Sequence, residues 1–196
     1  MNEARDIARW IGQLVDPDPA QRVTATERLY REGASLFSSA ASEWMKHREF
    51  RALVRSAECV VGIAVEPNTF EAIRAANGSP HLADVPPDQD AKEFELHFSA
   101  GSFDILTTRE PGGAGAIARY LQKFGEGIQQ IEINVSDMDR ATEILRSQFG
   151  LEPIYPATRP GADGTRVNFF LVPAQGKKVL IELVEAPQGA SVTSQK

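Results

Sequence analysis

The chain has 196 residues, 42% hydrophobic and 24% charged, with a formal net charge of −6. This make-up is that of a soluble globular protein long enough to bury a core. The negative balance argues against a nucleic-acid partner, whose phosphates call for a basic surface, and no run nears the ~18 apolar residues of a membrane helix.

The first 55 residues read as an all-helical segment. Ile7, Trp10, Ile11 and Leu14 recur at the spacing of one helix face. The run Asp16-Pro17-Asp18-Pro19 stops that helix and starts another, with Asp18 as N-cap and Pro19 at the first helical position. Val23, Leu29, Tyr30, Leu36 and Phe37 supply apolar anchors beyond it, Gly33 is expected to divide the segment, and a third helical stretch carries Trp44, Phe50 and Leu53. The DPDPAQR start resembles a single HEAT-type hairpin, which cannot bury its own face. It should therefore pack on the rest of the chain or on a partner subunit. The opening MNEARDIARWIGQLVD lacks the continuous apolar stretch of a signal peptide. Cys59, the one cysteine, excludes an intrachain disulfide and reads as a buried small hydrophobe in an apolar run, so a reducing cytoplasm is expected.

After Ser56 the period changes. Residues 59–65 (CVVGIAV) form a short apolar strand and 67–76 a helix. A Gly, Pro and Asp-rich loop follows over 77–90, with one irregular strand near 81–85. Phe94–Phe98 and Phe103–Thr107 read as strands joined by the turn SAGS, and 112–115 as a flexible joint before a helix through Ile117, Tyr120 and Leu121. The pattern then starts again. IQQIEINV is a strand, 137–149 a helix ended by Gly150, and 152–155 a short strand. RPGADGT is a turn loop, and 166–172 and 179–184 are further strands. Each half spells strand, helix, three strands, an internal duplication of a βαβββ unit. The expected organisation is a helical segment over 1–55 and a paired domain over 56–188, with modules 58–110 and 127–187. The tail, 189–196, is expected to be disordered.

Three stretches, FGEGIQQIEINVSDMDRATEIL, RPGADGTRVNFFLVP and KKVLIELVE, resemble the vicinal oxygen chelate superfamily, and within it methylmalonyl-CoA epimerases. The resemblance is good over 115–187, holds in outline over 58–110, and does not extend to residues 1–55. It implies an α+β fold in which two βαβββ modules form one cup-shaped mixed sheet around a divalent metal, with ligands on the first and last strands of each module. Carried onto this chain, the ligand positions fall at Val60, Asp104, Gln130 and Glu182. Both acidic positions stand, and valine and glutamine occupy the places of histidine. Imidazole suits zinc, iron, nickel and cobalt, whereas an all-oxygen set of Asp104, Gln130 and Glu182 suits magnesium, calcium or manganese only if waters complete it. No cofactor is therefore expected with assurance.

If each strand turns its apolar face to a helix, the opposite faces converge. That cup would collect Asp104, Gln130, Glu132, Asn168 and Glu182, with Glu95 and His97 on a neighbouring strand. Carboxylates crowded in a partly dry cavity repel one another, so at least one should hold its proton, as general acid–base work requires. The expected function is that of a glyoxalase- or epimerase-like small-molecule protein. If it is an enzyme, it is an isomerase or lyase working by proton transfer, with Glu132 or Glu182 as base and Asp104, Gln130, Asn168 and His97 binding the ligand. Arg159 and Arg166 are candidates to hold an anionic substrate tail. The alternatives are a non-catalytic ligand-binding protein on the same scaffold, or an interaction protein acting through its helices. A homodimer is compatible with all three.

Overall fold

The computed structural model describes residues 3–187, so the tail expected over 189–196 lies outside the described residues. Three helices open the chain: α1 (Glu3–Gln13), α2 (Pro19–Lys46) and α3 (Arg48–Leu53). The Asp18 carboxylate accepts from the Ala20 amide at 2.9 Å and Pro19 sits in the first turn, which is why α2 starts where the sequence says. Gly33 does not divide the segment, and α2 runs through it for 28 residues. The glycine serves packing instead. A Cβ there would lie 2.4 Å from Val61 Cγ2, so only a bare backbone lets the helix approach strand β1 (Val60–Ala64) this closely.

The remaining elements are α4 (Pro67–Ala76), β2 (Ala91–Phe98), β3 (Gly101–Thr108), α5 (Ala116–Phe124), β4 (Gly127–Asn134), α6 (Met138–Phe149), β5 (Arg159–Pro160), β6 (Arg166–Ala174) and β7 (Lys177–Glu185). Two expected strands are not formed. Among the described residues, the backbone of 81–85 bonds to the sheet only through Ala83 N–H to the Glu93 carbonyl, and that of 152–155 only through Ile154 N–H to the Phe169 carbonyl. Pro80, Pro86, Pro153 and Pro156 flank or interrupt these segments and remove the donors that a ladder needs. A two-residue pairing, β5 with β6, forms instead inside the segment expected to be pure turn.

The seven strands form one curled mixed sheet in the order β2-β3-β1-β4-β7-β6-β5. At its centre β1 and β4 run antiparallel, Val60 opposite Glu132 and Gly62 opposite Gln130. This pairing maps onto itself when Val60 exchanges with Gln130 and Gly62 with Glu132. The outer neighbours obey the same exchange: Gly62 stands beside Asp104 of β3, and Glu132 beside Glu182 of β7. The duplication read from the sequence is thus an approximate two-fold relation within one α+β sheet.

One face of the sheet carries Val61, Ile63, Phe94, Phe103, Ile105, Ile131, Phe170, Ile181 and Leu183, all buried under helices. The N-terminal segment belongs to this layer. Ile7, Ile11 and Leu14 of α1, Leu29, Leu36 and Trp44 of α2 and Phe50 of α3 share a single core with the strands, beside Phe70 of α4 and Ile144 of α6. The apolar stripe of the expected hairpin is therefore covered by the chain's own sheet. Cys59 is buried in the same core, and burial pushes its thiol up to about 11, which makes it a packing residue. The other, concave face is polar at its centre. Helix α5 closes one end of it, setting Ile117 and Leu121 against Ala64, Ala91 and Leu106.

Candidate functional site

Strand alternation and register assemble the site. Glu95, Asp104, Gly62 and Gln130 are adjacent across β2, β3, β1 and β4, and Glu132, Glu182 and Phe169 are adjacent across β4, β7 and β6. Because paired residues point to the same side, these side chains enter the concavity together. Gly62 makes this possible: a Cβ there would sit 2.4 Å from Gln130 Cγ. The resulting cavity of about 770 Å³ is lined by Val60, Glu93, Glu95, His97, Asp104, Gln130, Glu132 and Glu182, among others.

Loops from the two halves meet across its mouth. The Asp84 amide donates to the Asp163 carboxylate at 2.8 Å, the Asp163 amide donates to the Asp84 carbonyl at 3.1 Å, and Gln89 Nε2 donates to the Pro160 carbonyl at 2.7 Å. Arg159 pairs with Asp88 and lies 4.5 Å over the Tyr155 ring. Arg166, the other candidate for an anionic tail, bridges Asp139 and Glu185. Both guanidinium groups are thus already matched by carboxylates.

The centre of the cup is buried. Asp104, Gln130 and Glu182 are only 7 or 8% exposed. Gln130 Nε2 donates to Glu182 Oε2. Burial, and secondarily the charge of Glu132, hold Glu182 well above the usual carboxylate range. Burial and then Glu132 do the same to Asp104, so Asp104 keeps its proton and donates it in a hydrogen bond to Glu132. Glu132 is raised by burial too, but the hydrogen bonds from Asp104 and from Asn134 Nδ2 at 2.8 Å favour its ionised form. Neutral acids beside a carboxylate can donate hydrogen bonds and move protons, as the crowding argument from sequence anticipates.

Of the residues expected here, Asp104, Gln130, Glu132 and Glu182 do converge, Val60 lines the same cavity, and His97 stands at the exposed rim. There its Nδ1 meets Ser102 Oγ at 3.0 Å and its Nε2 pairs with Glu95 at 3.1 Å. Asn168 does not join them. Its strand is apolar on both faces, so alternation could not tell which face meets the helices. The register pairs Phe169 with Glu182 and Phe170 with Ile181, which turns Asn168 to the helix side, beside Thr142 of α6.

Glu93 was missed by the sequence reading, which began this strand at Phe94. β2 starts at Ala91, and the period of two in AKEFELHF puts Glu93, Glu95 and His97 on the cup face. Burial, then Glu132, Asp163 and Glu95, raise Glu93 to about 7. Its carboxylate makes no hydrogen bond among the described residues. It also lines a second cavity of about 400 Å³, which adjoins the first through Gln89, Glu93, Gln130 and Glu182.

No protein-family model matches the chain, and no curated protein matches it. Solved structures do. A methylmalonyl-CoA epimerase from Mycobacterium tuberculosis is 36% identical, with 65% of this chain covering 87% of that one at a TM-score of 0.52. A Streptomyces coelicolor methylmalonyl-CoA epimerase variant in complex with 2-nitronate-propionyl-CoA is 26% identical, with coverages of 69% and 96% and a TM-score of 0.53. A hypothetical protein from Bacillus halodurans C-125 is also 26% identical, with coverages of 67% and 95% and a TM-score of 0.54. The curled seven-stranded sheet with its internal two-fold, and a third of the sequence shared with an epimerase over most of its length, place the chain in the vicinal oxygen chelate superfamily.

Proposed function

We propose that the protein is an epimerase- or isomerase-like enzyme that moves a proton next to the carbonyl of an acyl thioester held in the concave cavity. One observation carries this: five acid or amide side chains, Glu93, Asp104, Gln130, Glu132 and Glu182, converge in one cavity of a fold whose solved relatives include methylmalonyl-CoA epimerases. Abstraction of a proton beside a carbonyl needs a carboxylate as base and donors for the developing oxyanion. Glu93, Glu132 and Glu182 are the carboxyls available for the first role. In this reading the second N–H of Gln130 serves the oxyanion, joined by the Asp104 proton when it exchanges Glu132 for the substrate oxygen.

The residues do not fit the divalent metal that the resemblance implies. Val60 has no donor atom, Gln130 offers only one neutral amide oxygen while its nitrogen donates to Glu182, and Asp104 is tied to Glu132. Among the described residues no group of three or more His, Cys, Asp or Glu side chains is disposed to hold a metal. Hydrogen-bond acids therefore take the electrophilic role in this reading, and no step is drawn through an ion. The same observation supports a second reading, a non-catalytic small-ligand binder. No helix among the described residues is long and apolar enough to cross a membrane, and a cytoplasmic site is proposed with either reading.

The test is solvent exchange. Incubated in deuterium oxide with propionyl-CoA and methylmalonyl-CoA, the protein should incorporate deuterium beside the thioester carbonyl faster than buffer does, as read by mass spectrometry. Binding of either thioester without exchange would favour the second reading. Neither binding nor exchange would refute both for this ligand class.

A further inference from the structure

A third cavity, of about 610 Å³, lies outside the cup. It shares no lining residue with the first cavity and only Gln129 with the second. We infer that it is a separate binding site for an aliphatic carboxylate, a fatty-acid anion whose hydrocarbon chain lies inside while its head meets lysines at the mouth. This site does not depend on the chemistry of the cup.

Three parts of the chain build it. Ile7 comes from α1 and Leu36 from α2, Tyr120, Lys123 and Phe124 from α5, and Ile128, Lys177, Lys178 and Val179 from the first turns of the neighbouring strands β4 and β7. Ile7, Leu36 and Val179 belong to the core that joins the N-terminal helices to the sheet, so the cavity exists only because those helices pack there. Helix α5 carries two apolar faces. Ile117 and Leu121 close the end of the cup, whereas Tyr120 and Phe124, also four residues apart, turn to this cavity with their rings 5.2 Å apart. The Tyr120 hydroxyl is fixed by donating to the Ile128 carbonyl at 2.9 Å. Phe124 is left uncovered. It is 63% exposed, more than any other large hydrophobic side chain among the described residues. An apolar ligand in the adjoining cavity would bury the ring that the fold leaves in water.

Charge selects the head group. Lys123, Lys177 and Lys178 line the cavity against one carboxylate, Glu126, whose Oε1 already accepts from the Glu66 amide at 3.0 Å. Lys123 Nζ lies 4.9 Å over the Phe124 ring, and among the described residues neither Lys123 nor Lys178 pairs with a carboxylate. In a chain of net charge −6, this grouping around an apolar cavity complements a negative charge on a hydrocarbon chain. Lysine stems lie along apolar surface and carry their ammonium groups to the mouth, where a carboxylate stays partly hydrated. The cup has the opposite balance, with Glu93, Asp104, Glu132 and Glu182 facing any anion that enters.

The experiment is calorimetric titration of the full chain with hexanoate, octanoate and decanoate below their micellar concentrations, with 1-octanol as the uncharged control. Binding should be saturable, and each added pair of methylenes should tighten it about tenfold. Octanoate should bind at least about tenfold tighter than 1-octanol. Phe124→Ala should weaken decanoate at least about tenfold. The pair Lys123→Gln and Lys178→Gln should do the same while leaving 1-octanol within about threefold. Decanoate affinity unchanged in both variants would overturn the site, and affinity independent of chain length would overturn the buried hydrocarbon. Equal binding of octanoate and 1-octanol would overturn the anionic class. If Phe124→Ala loses native circular dichroism, the lysine pair, at exposed positions, decides alone. Co-sedimentation with phosphatidylglycerol vesicles, without saturable decanoate binding, would overturn the proposal by making the patch a lipid-surface contact.

Discussion

Removing the charge of Glu93 should stabilise the protein, and only above a definite pH. The Glu93 carboxyl rises from an ordinary 4.5 in the unfolded chain to about 7 in the folded one, with burial as the first cause. Between those values the folded chain keeps a proton that the unfolded chain has released. Stability contributed by the neutral acid is therefore fully present below pH 4.5, and it is lost as pH rises through 7. The shift corresponds to about 3 kcal/mol as an upper bound, and access of solvent through two cavities reduces it to about 1–3 kcal/mol. Glu93→Gln escapes this penalty. In urea titrations at pH 4, 5, 6, 7 and 8, the variant should match wild type at the lowest pH, pull ahead from about pH 5, and reach a constant lead near pH 8. A lead that does not change with pH, or a wild type that stays the more stable at pH 8, would refute the buried environment assigned to this carboxyl.

Gly33→Ala should destabilise by about 1–2 kcal/mol despite alanine's better helix propensity, because the new methyl meets Val61 at 2.4 Å in a fully packed core; a raised melting temperature would contradict the close approach of α2 to β1. Val60→His combined with Gln130→His should create micromolar or tighter zinc or cobalt binding, about 8 kcal/mol or more, with either single change far weaker. Calorimetric titration finding no gain in the folded double variant would show that positions 60, 104, 130 and 182 do not form a ligand cage. Deleting residues 1–55 should leave a chain that aggregates, since Ile11, Leu14, Leu29, Trp44 and Phe50 each contribute roughly 1.5–3 kcal/mol of burial against a total stability of about 5–15 kcal/mol. A soluble truncated chain with an unchanged melting temperature would overturn the shared core.

The duplication was legible because its signal is a period of two with one apolar face, repeated in IQQIEINV, GSFDILTT and KKVLIELVE. The same signal located Asp104, Gln130, Glu132 and Glu182, whose oily neighbours fix which way they point. It failed on β6, where Val167, Phe169 and Leu171 are as apolar as Phe170 and Val172, so nothing local told Asn168 which side it faces. Glu93 was lost by a boundary error of three residues, since a strand's first residues carry the least periodic information. The course of α2 through Gly33 could not be read locally, because the reason for the glycine lies on Val61, 28 positions away in sequence and touching it only in the fold. The loop-to-loop closure through Asp84 and Asp163 is likewise a long-range pairing of two turns, each of which alone reads as solvent-facing.

The concave face is the surface on which a small molecule is proposed to bind and react. Chemical-shift mapping of the side-chain amide and carboxyl signals during titration with propionyl-CoA addresses it most directly. Saturable shifts are expected, centred on Glu93, Asp104, Gln130, Glu132 and Glu182 and weakened in Glu93→Gln. Shifts confined to the helical face of the sheet, with the concave carboxyls unmoved at saturation, would contradict it.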